Sequence, residues 1–302
     1  MTENITVNFI VFFTCKTSQK YLKYIVCIGG MLIMIIDTHV HIGSEHLGFS
    51  MNEKMVEELM VKYNVDQILL SNGDSAEVDH QQNLLPDEYQ IRQEDALRRT
   101  IEFARKHPGK IWVAPWVKPL TETVTDELEN LIKDNLDIIK AIKFHPFHSK
   151  ISPMAPNCIP YLELADKYGL AVISHTGTSE EDTPLHVYEA ALKYPNVNFV
   201  MVHMGLGSDN SLALELLGKA DNLYGDTTWV PMQSTIEAIN RYGNSKMVFG
   251  TDSPIDGVDT YLCNPKGDRS VYQDYLHELP KLIDKEAYED LMWRNAVKIF
   301  KL

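Results

Sequence analysis

From residue 35 to the end of the chain, short apolar runs alternate with longer amphipathic stretches. The short runs are rich in Val and Ile and stop at Gly, Pro or a polar residue, the pattern of buried strands. The longer stretches carry apolar residues at helical spacing. Strands are predicted at 35–42, 65–71, 111–117, 138–145, 170–176, 197–203, 223–227 and 246–252. A first helix is predicted from Ser50, a plausible N-cap, through Met51, Met55, Val56, Leu59 and Met60. Further helices are predicted at 89–107, 121–135, 158–168, 181–194, 210–219 and 232–242, with two more at 270–280 and 284–300.

Eight strands, each followed by helix, predict an α/β fold of the closed parallel kind, a (β/α)8 TIM barrel. An open doubly wound sheet is the alternative, but it usually has fewer strands and often holds phosphate in a Gly-rich loop. Neither G-x-G-x-x-G nor G-x-x-x-x-G-K follows any strand here. The polar stretch 72–88 is long for a connection in a compact domain, which suggests a functional loop.

Residues 1–34 do not share this rhythm. Their apolar runs, broken by Lys16, Lys20 and Lys23, fall short of the ~20 uncharged residues that span a bilayer. We read 1–34 as an N-terminal extension outside the barrel and 35–302 as a single domain, with no stable membrane insertion expected. Lys and Arg number 28 against 42 Asp and Glu, a net charge of -14, which argues against nucleic acid as a partner. A small-molecule substrate remains, anionic ones included, because a bound metal reverses the local field. The four cysteines show no zinc-ribbon spacing, so a reducing cytoplasm is the default and any metal ligands are His and carboxylate. Exposed barrel helices often associate, so a homodimer is the assembly to consider.

Candidate chemistry collects at the C-terminal ends of the predicted strands, which converge on one face of a barrel. Strand one carries Asp37, His39 and His41 at alternate positions, so all three are expected on one face. Two imidazoles two residues apart on a rigid strand can grip one metal ion. Strand four ends with Lys143 and His145, strand five with His175, strand six with His203 and strand eight with Asp252. Each of these histidines, taken alone, could be a satisfied core residue. Their convergence, with a carboxylate that is costly to bury unpaired, points instead to a mononuclear site of His39, His41, His175 and Asp252. His148, just past strand four, is a candidate substrate contact, as is His145.

These pieces resemble the amidohydrolase superfamily, in its amidohydrolase-related branch, which also contains metal-dependent decarboxylases. The resemblance lies in Asp37-Thr38-His39-Val40-His41, Ile142-Lys143-Phe144-His145-Pro146, Ile173-Ser174-His175-Thr176-Gly177, Val202-His203-Met204-Gly205 and Gly250-Thr251-Asp252-Ser253-Pro254. It implies that His39, His41, His175 and Asp252 ligate a divalent metal, with Asp252 and His203 catalytic. Zinc is the first choice, with Mn, Fe or Co as alternatives. Lys143 and His203 would serve a second metal if Lys143 is carbamylated; otherwise Lys143 is a buried lysine paired with Asp226 or Asp252. Asp37 would orient an imidazole. The implied activity is hydrolysis of a C–N or C–O bond by metal-activated water. The alternatives are nonoxidative decarboxylation of an aromatic or unsaturated acid, and a barrel that binds metal without catalysis.

Overall fold

In the computed structural model, strands β1 (Ile36–Ile42), β2 (Gln67–Asn72) and β3 (Ile111–Val113) pair in order. Strands β4 (Ala141–Phe144), β5 (Ala171–His175), β6 (Phe199–Val202), β7 (Leu223–Asp226) and β8 (Met247–Val248) follow, also in order. Every pairing is parallel. The Val113 amide donates to the Ile138 carbonyl (2.9 Å), and Lys143 donates to Pro115 (2.8 Å), which joins the two sets. On the other side, Thr38 donates to Phe249 (2.9 Å), Asp252 to His39 (2.9 Å) and His41 to Ser253 (2.7 Å). The sheet therefore closes into a (β/α)8 TIM barrel. The description covers residues 33–49, 51–255 and 271–302. Most of the expected N-terminal extension, Ser50 and most of the loop 253–269 lie outside it.

Strands are shorter than their apolar runs for local reasons. Pro115 has no amide to donate, so β3 stops and resumes only as a bridge between Trp116 and Lys143. Helices start where a side chain can cap them. α1 (Glu53–Lys62) begins after Asn52, whose side chain accepts from the Met55 amide. α2 (Gln93–Lys106) and α3 (Asp126–Lys133) follow β2 and β3. The predicted start of α3 at 121 moves because the Thr125 hydroxyl accepts from the Leu128 amide (3.0 Å). A short turn of helix, α4 (Pro146–Ser149), and α5 (Ile159–Tyr168) follow β4. The later strands are followed by α6 (Pro184–Lys193), α7 (Ser211–Leu217) and α8 (Met232–Tyr242). Helical segments at 271–281 and 285–300 end the chain. No helix among the described residues is long and apolar enough to cross a membrane.

The closed sheet divides the core in two. Ile36, Leu69, Ala114, Ala141, Ile173, Val200, Val202 and Val248 fill the barrel, and Ala296, Ile299 and Phe300 pack with them. A larger cluster lies between strands and helices and includes Val40, Ile42, Ile68, Leu70, Tyr161 and Tyr272.

β1 crosses between these layers. Asp37 pairs with Ile68 and Val40 with Leu70, so three steps on β1 face two on β2. This one-residue bulge reverses which face each side chain takes. His39 and His41 face the interior, as expected. Asp37 faces outward instead, accepting from the Thr251 hydroxyl (2.6 Å), the Tyr272 hydroxyl and the His39 amide. The expectation that Asp37 orients an imidazole is therefore corrected.

The stretch 72–88 is pinned across the strand ends by Glu77, which is 1% exposed. Its carboxylate accepts from the Thr121 amide (2.6 Å), the Thr121 hydroxyl (2.8 Å) and the Leu120 amide (3.2 Å). Burial nonetheless pushes this carboxyl up from 4.5 to about 7. Between those values the folded chain binds more protons than the unfolded chain, so folding stability falls as pH rises. Glu77→Gln removes that titration. Relative to the variant, the wild type is expected to lose roughly 3 kcal/mol between about pH 4.5 and 7, read by urea unfolding. Parallel stability curves for the two proteins would contradict it.

Candidate metal centre

Hydrogen bonds from neighbouring groups orient His39, His41 and His203 at the barrel mouth. His39 presents Nδ1 to the Thr228 hydroxyl (3.1 Å), with an Asp226 oxygen 3.4 Å away. The Thr228 hydroxyl in turn donates to Asp226 (2.6 Å), so it accepts from His39, and the Nδ1 of His39 carries the proton. The Nε2 lone pair of His39 is thereby turned to the centre. His203 reaches the same state, since its Nδ1 meets the Thr228 carbonyl (3.2 Å), which can only accept. The Nδ1 of His41 lies 2.8 Å from the Ser71 hydroxyl, leaving Nε2 inward.

The inward atoms crowd together. His39 and His41 bring their Nε2 atoms to 2.8 Å. One Asp252 oxygen lies 3.0 Å from His41 Nε2 and 3.5 Å from His39 Nε2. Among the described residues, His39, His41 and Asp252 form the group whose donor atoms all lie within 4.8 Å of one another. A cation among these atoms would be held by both ring nitrogens and the carboxylate oxygen. The donor set thus fits one divalent ion. Such an ion would supply Lewis acidity and an acidified water.

His175 stands beside this group, its ring 4.7 Å from that of His203. Its Nε2 faces Asp182 at 3.6 Å. Its Nδ1 is buried without a hydrogen-bond partner among the described residues, the kind of orphaned lone pair a metal satisfies. Lys143, fully buried, places Nζ 3.0 Å from His39 Nε2. His39 is therefore its hydrogen-bond partner. Asp226 and Asp252 act on it through the field rather than by a hydrogen bond.

Electrostatics follow from this crowding. Burial first, and then the Lys143 charge, hold His39 well below its usual range. Burial and the His175 ring do the same for His203. Burial opposes ionisation of Asp252, but His39, His41 and His203 outweigh it and keep this carboxyl well below the ordinary value. Burial raises Asp226 and lowers Lys143, each drawn back by the other's charge. The centre thus holds neutral imidazoles and an ionised carboxylate, the protonation states that metal binding requires.

The backbone is set for this arrangement. His203 and Asp252 both take left-handed φ, 67° and 71°. Their amides are held by Asp226 (2.8 Å) and by the His39 carbonyl (2.9 Å). Gly250 allows the closest approach, since a Cβ there would lie 3.0 Å from His39 Cβ and 2.9 Å from the Thr228 hydroxyl.

Sequence reasoning named Asp226 only as a partner for Lys143, although it ends β7 and meets the same strand-end rule. It offered Trp229 as an aromatic without a place, and it missed Asp182, which sits in a loop. The Trp229 indole donates to the second Asp252 oxygen (3.2 Å), leaving the first for the cluster. His145 and His148 are displaced from the cluster into a cavity of about 340 Å³. That cavity also takes in His41, His175, His203 and Asp252, with walls including Leu47, Phe49, Met51, Trp116, Phe147 and Trp229.

A sequence profile of the amidohydrolase family matches residues 36–302. The chain belongs to the amidohydrolase family. No curated protein matches it by sequence. Among solved structures, an uncharacterized TIM-barrel protein from Bordetella bronchiseptica is similar at TM-score 0.63 and 16% identity, over 89% of this chain and 99% of that one. A probable 2-pyrone-4,6-dicarboxylic acid hydrolase from Acinetobacter baumannii is similar at TM-score 0.62 and 13% identity, over 89% and 99%. A 5-carboxyvanillate decarboxylase from Novosphingobium aromaticivorans, solved with manganese, is similar at TM-score 0.64 and 12% identity, over 89% and 97%. At these identities the likeness concerns the fold.

The indole contact makes a prediction for this amidohydrolase. Trp229→Phe keeps the ring and removes the donor. Loss of such an outer partner typically weakens metal affinity about 10- to 100-fold. We expect the lower end, read by competition with a chromophoric chelator, with the unfolding midpoint of the chelated protein unchanged. Equal affinity would mean that the indole merely covers the site.

Proposed function

We propose that this amidohydrolase is a metal-dependent hydrolase that cleaves a C–N or C–O bond of a small molecule. The observation that carries the reading is Asp252: one oxygen meets His39 and His41, the other is tied to Trp229, and the side chain lines the cavity. In this reading His39, His41, His175 and Asp252 hold the ion. Asp252 accepts a proton from the attacking water and returns it to the leaving atom. His203, with Nδ1–H fixed on a carbonyl, turns Nε2 to the reacting group. Lys143 supplies positive charge beside the developing oxyanion. Zinc suits the donors. Manganese is the alternative, bound in two similar structures, both decarboxylases. The buried free thiol of Cys158 is compatible with a reducing cytoplasm.

Decarboxylation of an aromatic acid is the second reading. It is favoured by the aromatic walls and by the 2,6-dihydroxybenzoate and 5-carboxyvanillate decarboxylases among the similar structures. Against it, no Lys or Arg among the described residues lines the cavity to hold a carboxylate away from the metal.

The test uses protein loaded with Zn or Mn, assayed on aryl esters, lactones and anilides by proton release and on dihydroxybenzoates by CO2 release. We expect chelator-sensitive hydrolysis. Asp252→Asn that retains metal should lose about 10²- to 10⁴-fold of it. CO2 release without hydrolysis would replace this reading with the second.

A further inference from the structure

His145 and His148 take no part in the metal cluster, yet both line the cavity and both have their hydrogen-bonding sense fixed by backbone. His145 caps α4: its Nδ1 accepts from the His148 amide (3.3 Å), which also donates to the His145 carbonyl (2.9 Å). A nitrogen that accepts is unprotonated, so the proton of the neutral His145 ring sits on Nε2, which becomes a donor. His148 is the reverse. Its Nδ1 meets the Val78 carbonyl (2.9 Å), which can only accept, so Nδ1 carries the proton and Nε2 is an acceptor.

Neither ring is free to turn. His145 is stacked between Trp116, at 4.5 Å and 6°, and His175, at 4.2 Å and 16°. His148 packs edge-on against Phe147 at 5.1 Å. The two ring centroids lie 4.7 Å apart, and both residues line the cavity. No Lys or Arg among the described residues lines the cavity beside them. The walls beside them, Trp116 and Phe147, are aromatic.

We infer that His145 and His148 form a subsite for an uncharged carboxamide-type group on the substrate, its carbonyl accepting from His145 Nε2–H and its N–H donating to His148 Nε2. A carboxylate offers two acceptors and no donor. It would set an oxygen against the His148 lone pair and bring charge to a wall without a counter-charge. The subsite itself stands on the ring geometry; that its ligand is the substrate rests on the hydrolase reading. The substrate class is then a neutral aromatic or apolar molecule carrying an amide or lactam beside the bond that is cleaved.

The test is binding of benzamide, N,N-dimethylbenzamide and benzoate, read by quenching of the protein's tryptophan fluorescence in the chelated protein. Benzamide is expected to bind at least about 10-fold more tightly than benzoate, the factor that 1.4 kcal/mol of hydrogen bonding represents. The dimethyl compound, which has no N–H, should lose a similar factor on the wild type but not on His148→Phe. Benzoate binding as tightly as benzamide, an unchanged dimethyl penalty in His148→Phe, or no binding of any of the three would overturn the subsite. Because metal is absent from this assay, failure of the hydrolase reading shows separately, as no hydrolysis by the loaded protein.

Discussion

The hydrogen bonds between β1 and the end of β8 carry more of this molecule than any others. The His39 carbonyl accepts from the Asp252 amide, and the His41 amide donates to the Ser253 carbonyl. The residues that close the barrel are therefore also the residues that supply the cluster. Backbone closure sets the separation of the carboxylate from the two imidazoles, so no loop has to order before a cation binds. The bulge in β1 belongs to the same design. It sends Asp37 outward to tie Thr251 and Tyr272, and it sends His39 and His41 inward.

Concentrating four histidines, a lysine and two aspartates in a buried barrel mouth is costly. The effective penalty for burying an ion is several kcal/mol even after relaxation. The protein limits it in two ways. Imidazoles are kept neutral by burial and by the Lys143 charge, and the protons of His39 and His203 are committed to Thr228 on the far side. Asp226 works at three points at once. It holds the His203 amide, it takes the Thr228 hydroxyl that orients His39, and it offsets Lys143. What is left facing inward is a set of ring nitrogens, the Lys143 ammonium on His39 and one carboxylate.

Much of this was legible in sequence. Apolar strands stopped by Gly placed His39, His41, His175, His203 and Asp252 at strand ends, and the barrel brought them to one mouth. What failed to show had physical causes. A bulge is not visible in an alternating pattern, so Asp37 was assigned the wrong face. Helix starts were set by Asn52 and Thr125 rather than by the first apolar residue. Trp229 and Asp182 act from loops, whose conformation no periodicity encodes. His148 was suspected as a substrate contact from its closeness to strand four, and His145 from the strand face it shares with Lys143; the sense of their hydrogen bonds needed the Val78 carbonyl and the α4 cap.

The central claim is that His39, His41 and Asp252, joined by His175, bind one divalent ion per chain. The direct measurement is metal content by mass spectrometry after equilibration with Zn or Mn, on wild type and on His39→Ala whose circular dichroism shows an intact barrel. The account predicts about one ion per wild-type chain and none on the variant, as expected when the strand that carries two of the four donors loses one imidazole. Full occupancy on His39→Ala, or no uptake by the wild type, would contradict it.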